Sequence, residues 1–130
     1  MGPLKALLDT CTLIWLASDP GWLGTDAARA IDEADDLFLS DVSVWEIGLK
    51  WAAGKLTLPV PPRSWLRGQG IAWSLAPVPI TREHLLRSFE LPALHRDPFD
   101  RLLVAQEIME DMTLLTPDPA IAAYPVPVLW

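Results

Sequence analysis

The chain has 130 residues and a single cysteine, so its size suits one domain and no internal disulfide can form. Its apolar residues, 51% of the total, occur in runs far shorter than the ~20 residues that a membrane-spanning helix needs. Residues 1–5 lack the apolar core of a signal peptide. We therefore expect a soluble, cytoplasmic protein that forms one domain over residues 1–130.

The net charge of −7 at pH 7 argues against a nucleic-acid partner, because proteins bind phosphate through a surplus of lysine and arginine. The charge is unevenly distributed, however. Residues 50–101 contain eight of the ten basic residues and only four acids, a balance of +4, whereas the rest of the chain has a balance of −11. This distribution predicts a basic surface beside an acidic pocket, and a solvated surface of salt bridges is the alternative.

The first elements of the chain alternate between strand and helix. Residues 4–8 predict a short buried strand, and the helix after it stops near the turn at residues 19–21. A second helix is expected over residues 25–34 with Thr25 as its N-cap. Residues 37–40 then predict a strand of minimal length.

The third predicted helix covers residues 43–54. Ser43 and Glu46 have the spacing of a capping box, which places Glu46 in the first turn. Trp45 and Leu49 lie four residues apart, as on the apolar face of a helix. Glu46 therefore follows the predicted strand at residues 37–40 closely in the chain.

A change of composition marks residues 56–79, which contain five prolines. We expect a surface excursion with a short helical piece near residues 64–66, and expect Trp65 and Trp73 to pack back onto the body of the protein.

The last part of the chain alternates helices and strands again, which predicts an α/β fold with a central parallel sheet sandwiched by helices. Its elements are a helix over residues 81–89 capped by Thr81, a helix opened by Asp97 and Pro98, a strand at 113–116, a short helix capped by Asp118, and a strand at 126–129.

Four carboxylates, Asp9, Glu46, Asp100 and Asp118, sit where an apolar run gives way to a turn or a helix. Residues just past the carboxyl ends of parallel strands gather in one crevice, so the fold can bring these acids together. Their mutual repulsion would destabilise the site unless a cation neutralised it. Mg²⁺ or Mn²⁺ prefers such oxygen ligands and is often shared with a substrate phosphate, which points to phosphodiester hydrolysis.

Helix capping is the competing explanation for these acids. Asp9, Asp97 and Asp118 all have the position of an N-cap, worth about 1 kcal/mol each. The two histidines, His84 and His95, are far apart in sequence and are expected on the surface or at helix ends, outside catalysis.

Several stretches of the chain together resemble one known family. They are residues 7–10 with 13–16, residues 43–47 with Lys50 and 54–56, the stretch 95–106 (HRDPFDRLLVAQ), residues 115–118, and residues 128–130. On these residues the chain resembles the PIN-domain ribonucleases, specifically the VapC-like toxins of bacterial type II toxin-antitoxin systems. The stretch 95–106 is the most specific of the set, and the matches span nearly the whole chain.

The resemblance implies a PIN-like fold, a homodimer, and a Mg²⁺- or Mn²⁺-dependent endoribonuclease that cuts structured RNA such as tRNA and is inhibited by a cognate VapB-like antitoxin in a hetero-oligomer. It implies four catalytic acids, Asp9, Glu46, Asp100 and Asp118, of which Asp9, Asp100 and Asp118 hold metal. Asp97 either caps its helix or completes a second metal position. The supporting roles are those of Thr10 and Thr116, which orient ligands or water, and of Lys50, Arg96 and Arg101, which guide RNA. Pro117 departs from the family pattern, where a basic residue is common.

The sequence has two alternative interpretations. A receiver-like phosphoacceptor domain also places an aspartate at a strand end, but it needs a second early acid and a late strand-end lysine, which the sequence lacks. A catalytically silent PIN-like binding module is disfavoured because all four acids are present.

Overall fold

A computed structural model describes residues 4–130. Within this range lie five strands, seven α-helices and a 3-10 turn at Pro20–Trp22. The strands are β1 (Lys5–Leu8), β2 (Asp36–Ser40), β3 (Leu75–Val78), β4 (Thr113–Leu115) and β5 (Val128–Leu129). The helices are α1 (Thr10–Ser18), α2 (Thr25–Glu33), α3 (Asp41–Ala52), α4 (Pro62–Ala72), α5 (Arg82–Glu90), α6 (Pro98–Glu110) and α7 (Pro119–Ala122).

The strands form one fully parallel sheet in the order β3-β2-β1-β4-β5. The last residue of β1, Leu8, is in register with Leu39 of β2 and with Leu115 of β4. The carboxyl ends of the three central strands therefore meet at one edge. This arrangement confirms the predicted α/β fold with a central parallel sheet between helices.

The central strand β1 is buried on both faces, as a parallel sheet covered by helices requires. Ala6 and Leu8 pack into one apolar cluster with Leu13 of α1, and Leu7 packs into a second cluster with Leu103 of α6. All five side chains have 0% exposure. Burying a leucine side chain is worth about 1.5–3 kcal/mol, so the two clusters fix the strand that leads into Asp9.

The prediction for residues 56–79 was wrong in part. The region contains α4, a helix of 11 residues, and the strand β3. β3 is an edge strand, where a proline such as Pro77 is tolerated because its missing N–H would face outward. The packing of the tryptophans is confirmed: Trp65 is 7% exposed and Trp73 packs against the first apolar cluster.

The predicted start and face of α3 were also wrong. The helix begins at Asp41, and its N-cap is Ser40, whose hydroxyl accepts the Val42 N–H at 3.0 Å. Glu46 thus lies in the second turn instead of the first. Trp45 is 55% exposed, so the face of α3 that is turned inward carries other residues. The buried residues of α3 are Val42, Ser43, Glu46 and Ile47.

A smaller correction concerns α2, whose N-cap is Gly24 and not Thr25. A Cβ atom on Gly24 would lie 2.3 Å from the backbone of Trp130, so only glycine fits between α2 and the end of the chain. The predicted caps Thr81, Asp97 and Asp118 are confirmed for α5, α6 and α7. Among residues 4–130, no helix combines the length and hydrophobicity that crossing a bilayer requires.

Candidate active site

The sheet edge at the carboxyl ends of β1, β2 and β4 carries a group of carboxylates that surround one cavity of about 210 Å³, which we call the acidic pocket. The lining acids are Asp9, Glu46, Asp97, Asp100 and Asp118, and the other lining residues are Thr10, Cys11, Ile14 and Lys50. The predicted convergence of the four acids is therefore observed, with Asp97 as a fifth member. Their roles in catalysis and metal binding stay predictions.

Asp9 is held rigidly at the start of α1. Its carboxylate is the N-cap and accepts the Thr12 N–H at 2.8 Å. The Thr12 hydroxyl has one hydrogen to donate and lies 2.5 Å from the same oxygen and 2.8 Å from the carbonyl oxygen of Leu115 in β4. Asp9 is only 5% exposed. Burial raises the pKa of Asp9, and hydrogen bonds with Thr116 and Thr12 oppose that rise.

Thr12 has a positioning role that the sequence reasoning missed. The signal was present, since the Asp9-x-x-Thr12 spacing is that of an N-cap and the third residue of its helix. The half-buried thiol of Cys11 also points to Asp9, with Sγ 3.4 Å from Oδ1. Burial, together with the nearby Asp9 charge, raises the pKa of Cys11 well above its usual range. This shift favours the neutral thiol at Cys11 over the more nucleophilic thiolate.

Glu46 projects from α3 into the acidic pocket and pairs with Lys50 one turn later. The Lys50 Nζ lies 3.0 Å from Glu46 Oε2, and the glutamate side chain is only 7% exposed. The hydrogen bond with Glu46 raises the pKa of Lys50, partial burial opposes it, and the charges of Asp97 and Asp100 add to the rise. Lys50 is therefore a permanent cation in the wall of the acidic pocket.

Asp100 and Asp118 approach each other through His95. The His95 Nε2 lies 3.0 Å from Asp100 Oδ2 and 3.0 Å from Asp118 Oδ2. The sequence placed His95 on the surface or at a helix end, outside the site. That expectation was wrong, because the side chain is only 16% exposed and contacts two of the four predicted catalytic acids. His84 does lie at a helix end, where it closes the capping box of α5.

The capping and pocket roles of the aspartates turn out to be compatible. Asp97 uses Oδ1 to accept the Phe99 N–H at 2.9 Å, and Asp118 uses Oδ1 to accept the Ala120 N–H at 2.9 Å. In each case the cap fixes one oxygen of the carboxylate and so sets the direction of the other. Asp118 turns its second oxygen towards His95. Capping therefore orients these carboxylates and does not compete with a role in the pocket.

The electrostatics of the pocket fit a divalent cation. Burial and then the charge of Asp97 raise the pKa of Asp100 to about 7; His95 opposes the rise, and Glu46 and Asp118 add to it. The carboxylates are crowded enough to resist ionisation together, and a cation bound among them would remove that penalty. The acids offer only oxygen atoms as ligands, which suits Mg²⁺ or Mn²⁺.

The two predicted supporting threonines connect the elements of the site. The Thr10 hydroxyl lies 3.0 Å from the Ser43 hydroxyl and so links α1 to α3. Thr116 Oγ1 accepts the Asp118 N–H at 3.2 Å and fixes the turn between β4 and α7. Both are buried. These contacts hold the elements that carry Asp9, Glu46 and Asp118 in place.

A second, larger cavity of about 560 Å³ lies against the acidic pocket. Its lining includes Phe89, His95, Arg96, Pro98 and Arg101, and none of its described lining residues is acidic. We call it the basic cavity. Arg96 is exposed, whereas Arg101 donates to the carbonyl oxygens of Ser88 at 2.8 Å and Leu91 at 3.2 Å. His95 lines the basic cavity and contacts Asp100 and Asp118, which line the acidic pocket.

The sequence profile of the PIN domain family matches residues 6–127. The chain belongs to the PIN domain family. Ribonuclease VapC22 of Mycobacterium tuberculosis is 30% identical to this PIN domain over 119 residues, which cover 91% of the chain and 90% of that protein. The match confirms the resemblance to VapC-like proteins found in the sequence motifs.

Solved structures agree with this assignment at the level of the fold. VapBC2 from Rickettsia felis, bound to a DNA fragment from its promoter, has a TM-score of 0.69 at 15% identity and covers 97% of this PIN domain and 98% of that chain. A toxin-antitoxin complex from Klebsiella pneumoniae has a TM-score of 0.67 at 19% identity and covers 96% of each chain. At these identities the likeness establishes the PIN-like fold.

Proposed function

We propose that this PIN domain is a metal-dependent endoribonuclease toxin that hydrolyses phosphodiester bonds in structured RNA such as tRNA. The observation that carries the proposal is the acidic pocket, in which five carboxylates and one lysine surround a single cavity at the sheet edge. The similarity to a protein named as a VapC ribonuclease supports the same chemistry. Burying several carboxylates without a cation is unfavourable, which argues against a metal-free binding module.

The proposed metal ligands are Asp9, Asp100 and Asp118, with Asp97 as a candidate for a second position. A bound Mg²⁺ or Mn²⁺ would lower the pKa of a coordinated water and offset the charge that develops on the phosphate. Glu46, which lines the same pocket from α3, would orient the attacking water and accept its proton. Attack at phosphorus with the 3′ oxygen as leaving group gives 5′-phosphate and 3′-hydroxyl ends.

We expect some of the basic residues to contact the reacting phosphate and others to contact the flanking RNA. Lys50 lies inside the acidic pocket, within 3.0 Å of Glu46, where it can contact the scissile phosphate and reduce the repulsion between RNA and the acids. Arg96 lies at the adjoining basic cavity and suits a flanking phosphate. The backbone contacts of Arg101 favour a role in shaping the loop before α6, so RNA binding by Arg101 stays a prediction.

The partners are proposed from the same comparisons. Similar solved structures are named as VapBC or toxin-antitoxin complexes, which supports a VapB-like antitoxin as the partner of this chain. A homodimer within a toxin-antitoxin hetero-oligomer and a location in the cytoplasm, where the RNA substrate is found, complete the proposal. Exposed apolar side chains such as Trp45, Leu49 and Phe89 offer surface for such contacts.

The decisive experiment compares the wild type with Asp9→Asn on labelled tRNA in the presence of Mn²⁺. We expect the wild type to release fragments with 5′-phosphate ends, and we expect Asp9→Asn to lose cleavage and Mn²⁺ binding while keeping its circular dichroism spectrum. An active, metal-independent Asp9→Asn protein would overturn the mechanism. RNA binding by the wild type without any cleavage would favour the silent binding module.

A further inference from the structure

The hydrogen bonds around His95 define which of its ring nitrogens carries the proton. Nδ1 lies 3.1 Å from the backbone nitrogen of Asp97, which is a donor, so Nδ1 must accept. A ring that accepts at Nδ1 is neutral and carries its hydrogen on Nε2. Nε2 in turn lies 3.0 Å from a carboxylate oxygen of Asp100 and 3.0 Å from one of Asp118. His95 therefore donates its single N–H to Asp118, and Asp100 Oδ2 lies 3.0 Å from the same nitrogen.

This arrangement matters because the same three side chains could be taken for a metal site. One ligand atom from each of His95, Asp100 and Asp118 lies within 4.8 Å of the others. A histidine that ligates through Nε2 needs a lone pair there and usually donates its Nδ1–H to a neighbour. Here the neighbour of Nδ1 is itself a donor, the Asp97 N–H. His95 thus has the opposite polarity to a metal ligand.

We propose that His95 is a positioning residue that binds Asp118 through its Nε2–H, keeps the same nitrogen 3.0 Å from Asp100, and competes with the divalent cation for these two oxygen atoms. The inference rests on the proposed metal site. A hydrogen-bond donor and a cation cannot occupy the same side of the same two oxygens, so metal binding requires the imidazole to turn away. In the absence of metal, His95 therefore occupies the position that the cation would take, and it is not one of the metal ligands.

The surroundings of His95 allow the ring to turn while its backbone stays fixed. The His95 N–H donates to the Tyr124 hydroxyl at 3.1 Å, and that hydroxyl donates to the carbonyl oxygen of Pro92 at 2.9 Å. The Arg101 guanidinium donates to the His95 carbonyl oxygen at 3.3 Å. The side chain also lines the basic cavity of about 560 Å³, which gives the ring a place to move. Metal entry would thereby change the wall of that cavity.

Substitution of His95 should raise the metal affinity if His95 competes with the cation, and should lower it if His95 is a metal ligand. In His95→Asn, the shorter side chain can still accept the Asp97 N–H, as asparagine does in Asx turns, but it cannot reach the two acids. We expect the full-length variant to bind Mn²⁺ about tenfold more tightly than the wild type in calorimetric titration, because a charge-assisted donor no longer competes. Weaker or unchanged Mn²⁺ binding would overturn the proposal.

Two further variants serve as controls. His95→Gln restores a donor close to the position of Nε2 and is expected to return Mn²⁺ affinity towards that of the wild type, whereas a ligand role would leave it weakened. Asp100→Asn tests the metal site itself: if it bound Mn²⁺ as tightly as the wild type, the proposed site would fail whatever His95 does. The failure of the two proposals is thus distinguishable.

A measurement on the wild type avoids any dependence on how well the variants fold. Nitrogen-15 NMR of the histidine rings distinguishes the two tautomers. We expect His95 to carry its proton on Nε2, and we expect saturation with Mg²⁺ to shift its resonances while those of the other histidine, His84, stay in place. An Nδ1–H ring in the absence of added metal, or resonances of His95 that ignore Mg²⁺, would contradict the proposal.

Discussion

Asp100 and Glu107 lie two turns apart on α6, and burial raises the pKa of both, to about 7 for Asp100 and about 8 for Glu107. Their surroundings differ. Asp100 faces other ionisable groups, since the charges of Asp97, Glu46, Asp118 and His95 all act on its pKa. Glu107 is 1% exposed, and neither of its carboxylate oxygens has a hydrogen-bond partner of ordinary geometry among the described residues.

The difference shows that a raised pKa alone does not mark a functional acid. At Glu107 the cause is burial, opposed only by the nearby backbone of Leu114, so the side chain is held neutral in an apolar setting. At Asp100 burial is again the largest cause, but the charges of the other acids around the cavity add to the rise in pKa. A cation bound in the cavity can offset the repulsion between the acids around Asp100, but it cannot reach the buried carboxyl group of Glu107. The contrast between the two acids can therefore be tested directly.

The largest expected effect is on cleavage. Asp100→Asn removes a proposed metal ligand and should lower the rate of tRNA cleavage in Mn²⁺ by more than about a hundredfold. Glu107→Gln, the matched change on the same helix, should retain activity because Glu107 lies outside the acidic pocket. Initial rates measured at saturating Mn²⁺ for both variants provide the comparison. Equal losses in the two variants would show that the acid cluster has no special role.

The contrast also shows how far the sequence could predict the site. The four acids were identified because each follows an apolar run, and a parallel sheet brings strand ends to one edge. His95 could not be placed by the same reasoning, since it lies in a loop whose path depends on Arg101 and Tyr124. Those are tertiary contacts that local periodicity does not encode.

The fold was predictable to a similar degree. The alternation of elements gave the parallel sheet, because strand and helix signals in the chain were strong around β1, β2 and α6. β3 was missed, since prolines normally argue against a strand and its position at the sheet edge is a tertiary property. The inward face of α3 was misjudged for a related reason. Its inward face carries Ser43 and Glu46, which serve the site, while Trp45 packs on Phe99 with ring centroids 4.9 Å apart.

A moderate effect is expected on the pH dependence of stability. The pKa of Glu107 is raised from its ordinary value of 4.5 to about 8 in the folded protein, so the folded state binds the proton more tightly than the unfolded state. The favourable contribution is complete below pH 4.5 and is lost as the pH rises towards 8. Glu107→Gln cannot ionise and escapes this loss. Relative to the wild type, it should gain more than about 1 kcal/mol between pH 5 and pH 8.

Urea unfolding at both pH values measures this difference. Asp100 titrates in both proteins, so its contribution cancels in the comparison. Mn²⁺ should stabilise the wild type and Glu107→Gln equally, because the proposed metal site lies at the other end of α6. A stability difference that stays constant from pH 5 to pH 8 would mean that Glu107 is not held neutral by burial.

The smallest expected effect concerns the basic cavity beside Asp100. In an Asp9→Asn background, which prevents cleavage, Arg96→Ala should weaken tRNA binding a few-fold and reduce the slope of log affinity against log salt by about 0.7–0.9, the value for one lost phosphate contact. Arg29→Ala is the matched control, because Arg29 lies on α2 and pairs with Asp26 at 3.9 Å, away from both cavities. It removes the same charge and should leave the slope unchanged. Equal slopes for the two variants would mean that net charge alone attracts RNA. Arg96 would then make no specific phosphate contact beside His95 and the acids.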